Sequence, residues 1–330
     1  MKAVIPAAGI GKRLRPHTYT KPKALVTVAG RPMLGHIIDS LIDMGVDELI
    51  PIIGYKGEMI RDYIDKRYDI RSNFVVQEEQ KGIAHAVSLT REFADDSEVI
   101  IILGDTIIEA DFNAIPGEGD YVLGVREVDN PGRFGIVEEE GGVVRGIEEK
   151  PDQPKSNLAI VGLYYLKNSS SLFEACDEII RKDIKTKGEY QITDALGLMI
   201  EQGTRFIPYR IEDWYDCGKI ETLLETNRVL LDRDGSSGTA GEGSVVIPPC
   251  QIADDCVIER SVVGPYVSVS EGCRIRASVI DNSIIEEGSR VSDSVISRSV
   301  LGRNTSVDGV RSSLNISDNS TCSGIERDNE

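Results

Sequence analysis

Tryptophan is nearly missing from this 330-residue chain, which has one, and histidine is scarce, with three. Aromatic residues make up only 5% of the chain, so any core must be built mainly from aliphatics. The six cysteines, at 176, 217, 250, 256, 273 and 322, form no C-x-x-C pair and have no histidine nearby in sequence. That excludes zinc-finger spacing and a dense disulfide framework, and leaves reduced thiols as the expectation. His17, His36 and His85 all lie in the first 85 residues, so the rest of the chain offers no imidazole base. No apolar run approaches a membrane span, and MKAVIPAAG leads directly into a strand-like stretch without a cleavable apolar core. A cytoplasmic protein without a membrane partner is expected. Basic residues are outnumbered 37 to 55, a net charge of −18, which excludes the basic stripe of a nucleic-acid groove. An anionic substrate is still compatible with that balance if the cations are local, and the first 23 residues cluster Lys12, Arg13 and Lys23.

At this length two domains are the natural expectation, and 40% hydrophobic residues suffice for a sizeable core. Residues 2–6, 48–53, 73–76 and 98–103 read as buried strands, with helical patterns at Pro32–Met44, Gly57–Tyr68 and Ile83–Phe93 between them. Such alternation implies βαβ units and a parallel sheet covered on both faces. Beyond residue 120 the pattern turns antiparallel, in YVLGVREV, RFGIVEEE and VVRGIEE, with Gly141-Gly142 as a hairpin turn. A strand at Leu158–Leu166 follows, then helices near Ser170–Ile180, Gln191–Glu201 and Lys219–Leu231. This catalytic-type α/β domain is expected over 1–232, with a linker at 233–244 that is rich in Gly and Ser.

After the linker the helices vanish and a repeat begins. VSEGCRIRASVIDNSI from 269, IEEGSRVSDSVISRSV from 285 and LGRNTSVDG from 301 align at an offset of 16, with Ser278 matching Ser294 and Val279 matching Val295. A solenoid accounts for this: each coil buries one aliphatic per face, and small residues fill the corners. A short left-handed parallel β-helix is expected over 245–311. The polar tail 312–330 is expected to fray at its end.

Three motifs carry chemistry. The glycine-rich turn Ala7-Ala8-Gly9-Ile10-Gly11-Lys12-Arg13-Leu14 directly follows the first strand, and exposed backbone N–H groups there let a phosphate approach without Cβ clashes. Lys12, Arg13 and Lys23 add charge suited to a triphosphate. A dinucleotide-binding turn would need a third glycine opening a helix and a carboxylate ending the second strand, and Ile53-Gly54-Tyr55 has none. A Walker A loop would need G-K-[ST], which is also missing. Second, Asp105 follows the buried run VIIILG, where open α/β sheets bind ligands, and Asp216 stands in a matching context in WYDCG. Two hard carboxylate ligands facing a triphosphate suit Mg2+. Third, Glu148-Glu149-Lys150-Pro151 offers Lys150 for a second phosphate and Glu149 for sugar hydroxyls, although such a segment also suits a solvated strand end. Thr193 and Asp194 in GEYQITD read equally as helix caps.

Together these motifs resemble the sugar nucleotidylyltransferase superfamily, most closely the glucose-1-phosphate thymidylyltransferases of the longer type. The likeness spans roughly residues 1–232 and is carried by PAAGIGKRLRPHTYTKPKALVTVAGRPML, QEEQKGIAHAV, LGD, RFGIVEEEGGVVRGIEEKP, SNLAIVGLYYL, KGEYQITDAL and WYDCGKIETLLETN. It implies that the loop of Ala8, Gly9, Gly11, Lys12 and Arg13 holds the triphosphate and that Lys23 approaches the reacting phosphates. It further implies that Gln77 and Gly82 read a pyrimidine base, and that Asp105 and Asp216 hold the metal. Gly135, Glu149, Lys150, Ile160 and Glu189 would contact the sugar phosphate. The family often reads G-D-N and D-T-G where this chain has Gly104-Asp105-Thr106 and Asp216-Cys217-Gly218.

The expected reaction is Mg2+-dependent transfer of a nucleotidyl group from a nucleoside triphosphate to a hexose 1-phosphate, with dTTP and glucose 1-phosphate favoured. UTP is the nearest alternative, ahead of GDP-mannose or ADP-glucose synthesis. A bifunctional acetyltransferase would want an imidazole in the repeats, and a non-catalytic scaffold would not need both aspartates. A homo-oligomer through the β-helix is expected.

Overall fold

The computed structural model describes residues 1–239 and 241–324. Within them the chain forms two compact units, Met1–Gly9 with Leu34–Tyr215, and Ile10–Met33 with the chain from Asp216 onward. The division is discontinuous in sequence: residues 10–33 and the helix Ile220–Asp234 belong with the carboxy-terminal repeats.

In the first unit the apolar runs Lys2–Pro6, Glu48–Ile53 and Val99–Ile102 lie side by side, with Val4 opposite both Ile50 and Ile101 in parallel register. Their near-continuous hydrophobicity fits strands buried on both faces. Two short strands, Arg71–Ser72 and Val75–Val76, extend this parallel half. In place of the single strand expected at 73–76 there are these two short pieces, and Asn73 between them donates its N–H to Leu49 O at 2.9 Å and its side-chain Nδ2 to Glu48 Oε1 at 2.5 Å. Likewise the helix expected over Ile83–Phe93 divides into Ile83–Ser88 and Arg91–Ala94. Thr90 Oγ donates to Val87 O at 2.7 Å there, a local bond that competes with helix continuation.

Leu158–Leu166 joins the parallel half to an antiparallel one, pairing with Val99–Ile102 and, further along the same edge, Gly135–Glu140 on one side and with Tyr121–Glu127 on the other. The hairpin to Val143–Glu149 turns on Gly141 and Gly142, both at positive φ, as the sequence suggested. The result is a ten-stranded mixed sheet. Its core includes Phe173, Cys176 and Ile179 of the helix Ser170–Arg181 and Leu196 and Met199 of Ile192–Glu201. Leu158–Leu166 bulges at Gly162, where φ is +84° and a Cβ would stand 2.6 Å from Leu103 Cδ1. The bulge lets Leu103 N–H reach Gly162 O and fixes the segment leading to Asp105.

The second unit is built around a left-handed β-helix of three parallel sheets made from two- and three-residue strands. One aliphatic per face points inward in each coil, as in the stacks Ile258–Ile275–Val291–Val307 and Ile252–Val269–Ile285–Leu301. The repeat has a hydrogen-bond cause. Ser261 Oγ accepts from Ser278 N, Ser278 Oγ from Ser294 N, and Ser294 Oγ from Val310 N, each at 3.0–3.1 Å. Each hydroxyl also donates to the carbonyl two residues earlier. A buried corner serine therefore serves two backbone groups that water cannot reach. The coils continue past 311, through Asn315–Ile316 and Thr321–Ser323, which pair with the preceding coil. The end of the tail, expected to fray, lies outside the described residues from 325 onward. Asn227 of the helix Ile220–Asp234 ties the unit together, its Oδ1 accepting from Ala29 N at 2.9 Å and Ser268 Oγ at 2.7 Å.

Replacing Ser278 by Ala strands the Ser294 N–H and the Arg276 carbonyl, with an expected loss of about 1–3 kcal/mol of stability. Urea unfolding followed by far-UV circular dichroism checks this, with exposed Ser312→Ala as the control that stays within about 0.5 kcal/mol of the parent.

Candidate active site

The carboxyl ends of the three central parallel strands meet where glycines leave room. Ala7 N–H donates to Ile52 O at 2.9 Å and Gly104 N–H to Pro6 O at 3.0 Å, which locks the ends together. A Cβ on Gly104 would stand 3.0 Å from Ala7 Cβ, and one on Gly54 3.0 Å from Ala8 Cβ and 3.2 Å from Gln77 O. Ala8, Gln77 and the segment Gly104-Asp105 thus follow strand ends that come together within the first unit. Gly9 follows in an exposed loop with open space where a Cβ would be. Gln77 is buried, and its Nε2 donates to Gly82 O at 3.2 Å and faces His85 Nδ1 at 3.3 Å, so the amide is held in one orientation. Burial, then Lys81, lowers the pKa of His85, with Glu79 opposing, so the charged ring is disfavoured beside that amide. Gly82 has φ +113°, and a Cβ there would lie 2.3 Å from Tyr190 O, so no other residue fits. Gln80, absent from the sequence-based set, donates from Nε2 to Ala8 O at 2.7 Å and braces the loop.

A second cluster forms around Gly135. A Cβ at that position would stand 2.7 Å from Thr193 Cγ2, 3.0 Å from Glu149 Oε2 and 3.6 Å from Ile160 Cδ1. Gly135 faces Glu149 across the hairpin. Thr193 Oγ donates to Glu149 Oε2 at 3.0 Å, while Lys150 Nζ pairs with Oε1 at 2.9 Å. The Glu149 side chain is only 9% exposed and that of Lys150 43%, so the lysine is the solvent-facing partner. Lys150 sits at φ +45°, held by its N–H bond to Phe134 O at 2.9 Å. Glu189 does not join this group: it is exposed on a turn, with Gln191 Nε2 at 3.3 Å from its carboxylate. Thr193 takes a place in the site where the sequence offered only a capping role. Its signal was its position one residue into the helix Ile192–Glu201, where the side chain turns back toward the sheet. Neighbouring Asp194 has its pKa raised by burial, opposed by its bond from Thr186 and reinforced by Glu149.

The remaining predicted residues belong to the second unit. Gly11 adopts φ +68°, and a Cβ there would collide with Lys23 Cβ at 2.8 Å, so the Lys23 stem lies across the glycine turn. Thr18 Oγ closes the loop by donating to Gly11 O at 2.9 Å. Lys12 and Arg13 are exposed, while Lys23 is buried. Asp216 and Arg13 flank Gly218: a Cβ at 218 would be 2.8 Å from Asp216 Oδ1 and 2.7 Å from Arg13 Nη2. The strand Asp213–Asp216, whose first three residues lie in the first unit, pairs with Thr106–Glu109. Trp214 anchors it through an edge contact to Phe134, centroids 4.9 Å apart.

Residues 2–233 match the nucleotidyl transferase family, and residues 235–284 match the GlmU-like C-terminal hexapeptide family. The chain belongs to the nucleotidyl transferase family. The transferase is 34% identical, over 86% of its length and 87% of the relative's, to the low-salt glycan biosynthesis nucleotidyltransferase Agl11 of Haloferax volcanii. It is 32% identical to the glucose-1-phosphate thymidylyltransferase of Streptomyces antibioticus, over 93% of both chains. It is 37% identical to the UTP–glucose-1-phosphate uridylyltransferase AglF of Haloferax volcanii, over 70% of this chain and 97% of that one. Among solved structures, UDP-glucose pyrophosphorylase complexed with UDP-glucose covers 70% of the transferase with 98% of its own chain, at a TM-score of 0.62. At 24% identity that likeness shows the fold. No helix among the described residues is long and apolar enough to cross a membrane.

At the two departures from the expected motifs, Thr106 and Cys217 each make a contact of their own. Thr106 Oγ lies 3.4 Å from Asp105 Oδ1, so the hydroxyl supplies a donor next to the carboxylate. Cys217 is fully buried, with Sγ 3.4 Å from Thr226 Oγ, and so points into the packing rather than toward solvent.

Gly135→Ala would push a methyl between Thr193 and Glu149 while leaving the extended backbone acceptable. The KM for sugar 1-phosphate should rise about 10-fold or more with an unchanged circular dichroism spectrum, as checked by steady-state kinetics.

Proposed function

We propose that the transferase joins a nucleoside triphosphate, dTTP in preference, to glucose 1-phosphate, with Mg2+ as the required ion and pyrophosphate as the second product. The observation that carries this reading is the pair of clusters built on glycines. One, at the ends of three parallel strands, leaves backbone room for a nucleotide beside Asp105; the other, at Gly135, offers Glu149 and Lys150 for a sugar phosphate. The choice of dTTP draws support from the relative that matches over 93% of both chains, a thymidylyltransferase. The uridylyltransferase match covers 70% of this chain and makes UTP the second reading.

Asp105 and Asp216 are the residues that would hold the metal. Hard carboxylate oxygens few in number are the donor set Mg2+ uses when waters and phosphates complete its shell. When bound, the ion supplies charge neutralisation at the α-phosphate. The chain's own residues do the rest. Gln77, its Nε2 turned toward Gly82, would present its oxygen to the imide N–H of a pyrimidine. Arg13 and Lys12, exposed on the glycine turn, would bind the β- and γ-phosphates, and Lys23 would approach the reacting ones. Lys150 would hold the sugar phosphate, with Glu149 steering it and accepting from a sugar hydroxyl. An oxygen of that phosphate attacks the α-phosphorus as the bond to the β-phosphate oxygen breaks, and the electron pair leaves with pyrophosphate. No general base is needed, because a phosphate monoester is ionised near neutral pH. Alignment and charge neutralisation are the main catalytic terms.

Pyrophosphate release measured over a grid of dTTP, UTP, GTP and ATP against several sugar 1-phosphates should be fastest for dTTP with glucose 1-phosphate and vanish with EDTA. Fastest turnover with UTP would select the second reading. Asp105→Asn should lower kcat by at least about 100-fold with the fold retained, and near-parental activity in Mg2+ would remove the metal assignment.

The homo-oligomer is part of the same proposal. Val245, Val279 and Val295 point outward in one column of the β-helix and are 54%, 42% and 45% exposed, a stripe suited to a second copy of this face. Light scattering of a Val279→Asp, Val295→Asp variant should report a smaller particle than the parent, and an unchanged mass would exclude this face.

A further inference from the structure

The loop that carries the phosphate-binding cations rests on the far coils of the β-helix, and the contact is ionic and buried. Lys21 is fully buried and heads the largest side chains so enclosed; its Nζ pairs with Glu286, itself 2% exposed, and lies 3.9 Å from Asp318. The other Glu286 oxygen accepts from Thr27 N at 3.5 Å. One carboxylate therefore grips the chain on both sides of Lys23. Two further bonds fasten the start of the loop: His17 Nε2 lies 2.6 Å from Asn315 Oδ1, and Ser317 Oγ donates to Pro16 O at 3.1 Å. Of the five lysines and arginines between residues 12 and 23, Lys12, Arg13 and Arg15 face solvent, while the buried Lys21 is spent on the β-helix.

Burying such a pair is a poor route to stability, since desolvating both ions offsets most of their attraction and an apolar pair of similar volume does as well. What the pair provides is direction: it fixes where the backbone of residues 16–27 lies. On that same backbone Lys23 packs across Gly11 and Thr18 closes the turn, so the placement of Arg13 and Lys23 follows from it. The partners on the β-helix are residues 286, 315, 317 and 318, all beyond the hexapeptide match that ends at 284. These are the coils that the sequence presented partly as a polar tail.

We propose that Glu286 is a positioning residue for nucleotidyl transfer, holding the triphosphate loop through Lys21 so that the last coils of the β-helix are a working part of the active centre. This rests on the reaction proposed above. It assigns to the β-helix a task within each subunit, separate from any contact between copies.

The test is Glu286→Gln in the full-length protein, which keeps the shape and removes the charge. The KM for dTTP should rise about 10-fold and kcat should fall by about the same factor, while the KM for glucose 1-phosphate stays within about 2-fold. Amide hydrogen exchange of peptides spanning residues 10–27 should accelerate, with the exchange of residues 34–215 unchanged. A lower melting temperature with unaltered kinetic constants and unaltered loop exchange would overturn the proposal and leave the pair a structural one. Should Glu286→Gln not fold, Asn315→Ala at the exposed edge of the contact is read in the same way, with about a 3-fold rise in the dTTP KM expected and no change overturning it. The exchange arm reads the clamp directly, so a parent protein inert with every nucleotide and sugar would refute the reaction while the clamp is still judged.

Discussion

Two phosphate-bearing reactants repel each other, and every part of this molecule that bears on function answers to that repulsion. The chain makes the problem harder, since its own net charge is −18. Unit charges 4 Å apart repel by about 1 kcal/mol in water and by about 4 kcal/mol at the effective dielectric of a protein surface. A few cations must therefore be held where they count. Exposed, freely moving lysines would be screened and entropically costly to recruit. Here the cations are carried on folded turns: Lys23 lies over Gly11, Arg13 stands against Gly218, and Lys150 is tethered by Glu149.

Backbone clearance is the second half of that answer. The strands Lys2–Pro6, Glu48–Ile53 and Val99–Ile102 are apolar beyond Lys2 and Glu48 because both faces are covered, and their parallel pairing brings three chain turns to one edge. Gly54 and Gly104 keep those turns close enough that a single methyl would be in contact with Ala7 or Ala8. The antiparallel half does the same at its own cluster, where Gly135 leaves room between Thr193 and Glu149. Glycine is required at both places by the neighbouring atoms rather than by its own flexibility.

How much of this could be read beforehand follows from the range of the interactions. The β-helix was legible because its repeat is set by a local rule, one inward aliphatic per face and a buried serine at the corner. Its last coils were not, because Ile316 and Cys322 supply the inward positions there among serines and asparagines that read as solvated tail. The places of Asp105 and Gln77 just past strand ends follow from motif order and the apolar runs before them. The break at Thr90 escaped because one local side-chain bond competes with an apolar pattern over so few residues. Lys21 carries no motif signal of its own in the sequence. Its partner is 265 residues away, and only the fold shows that its charge is already taken.

If catalysis is the alignment of two phosphates without a covalent stop on the protein, the stereochemistry at phosphorus records it. Turnover of one diastereomer of α-thio-dTTP with glucose 1-phosphate should give a nucleotide sugar of inverted configuration at the α-phosphorus, as a single in-line displacement requires. Retention of configuration would mean two displacements through an enzyme-bound nucleotide, and would contradict the account.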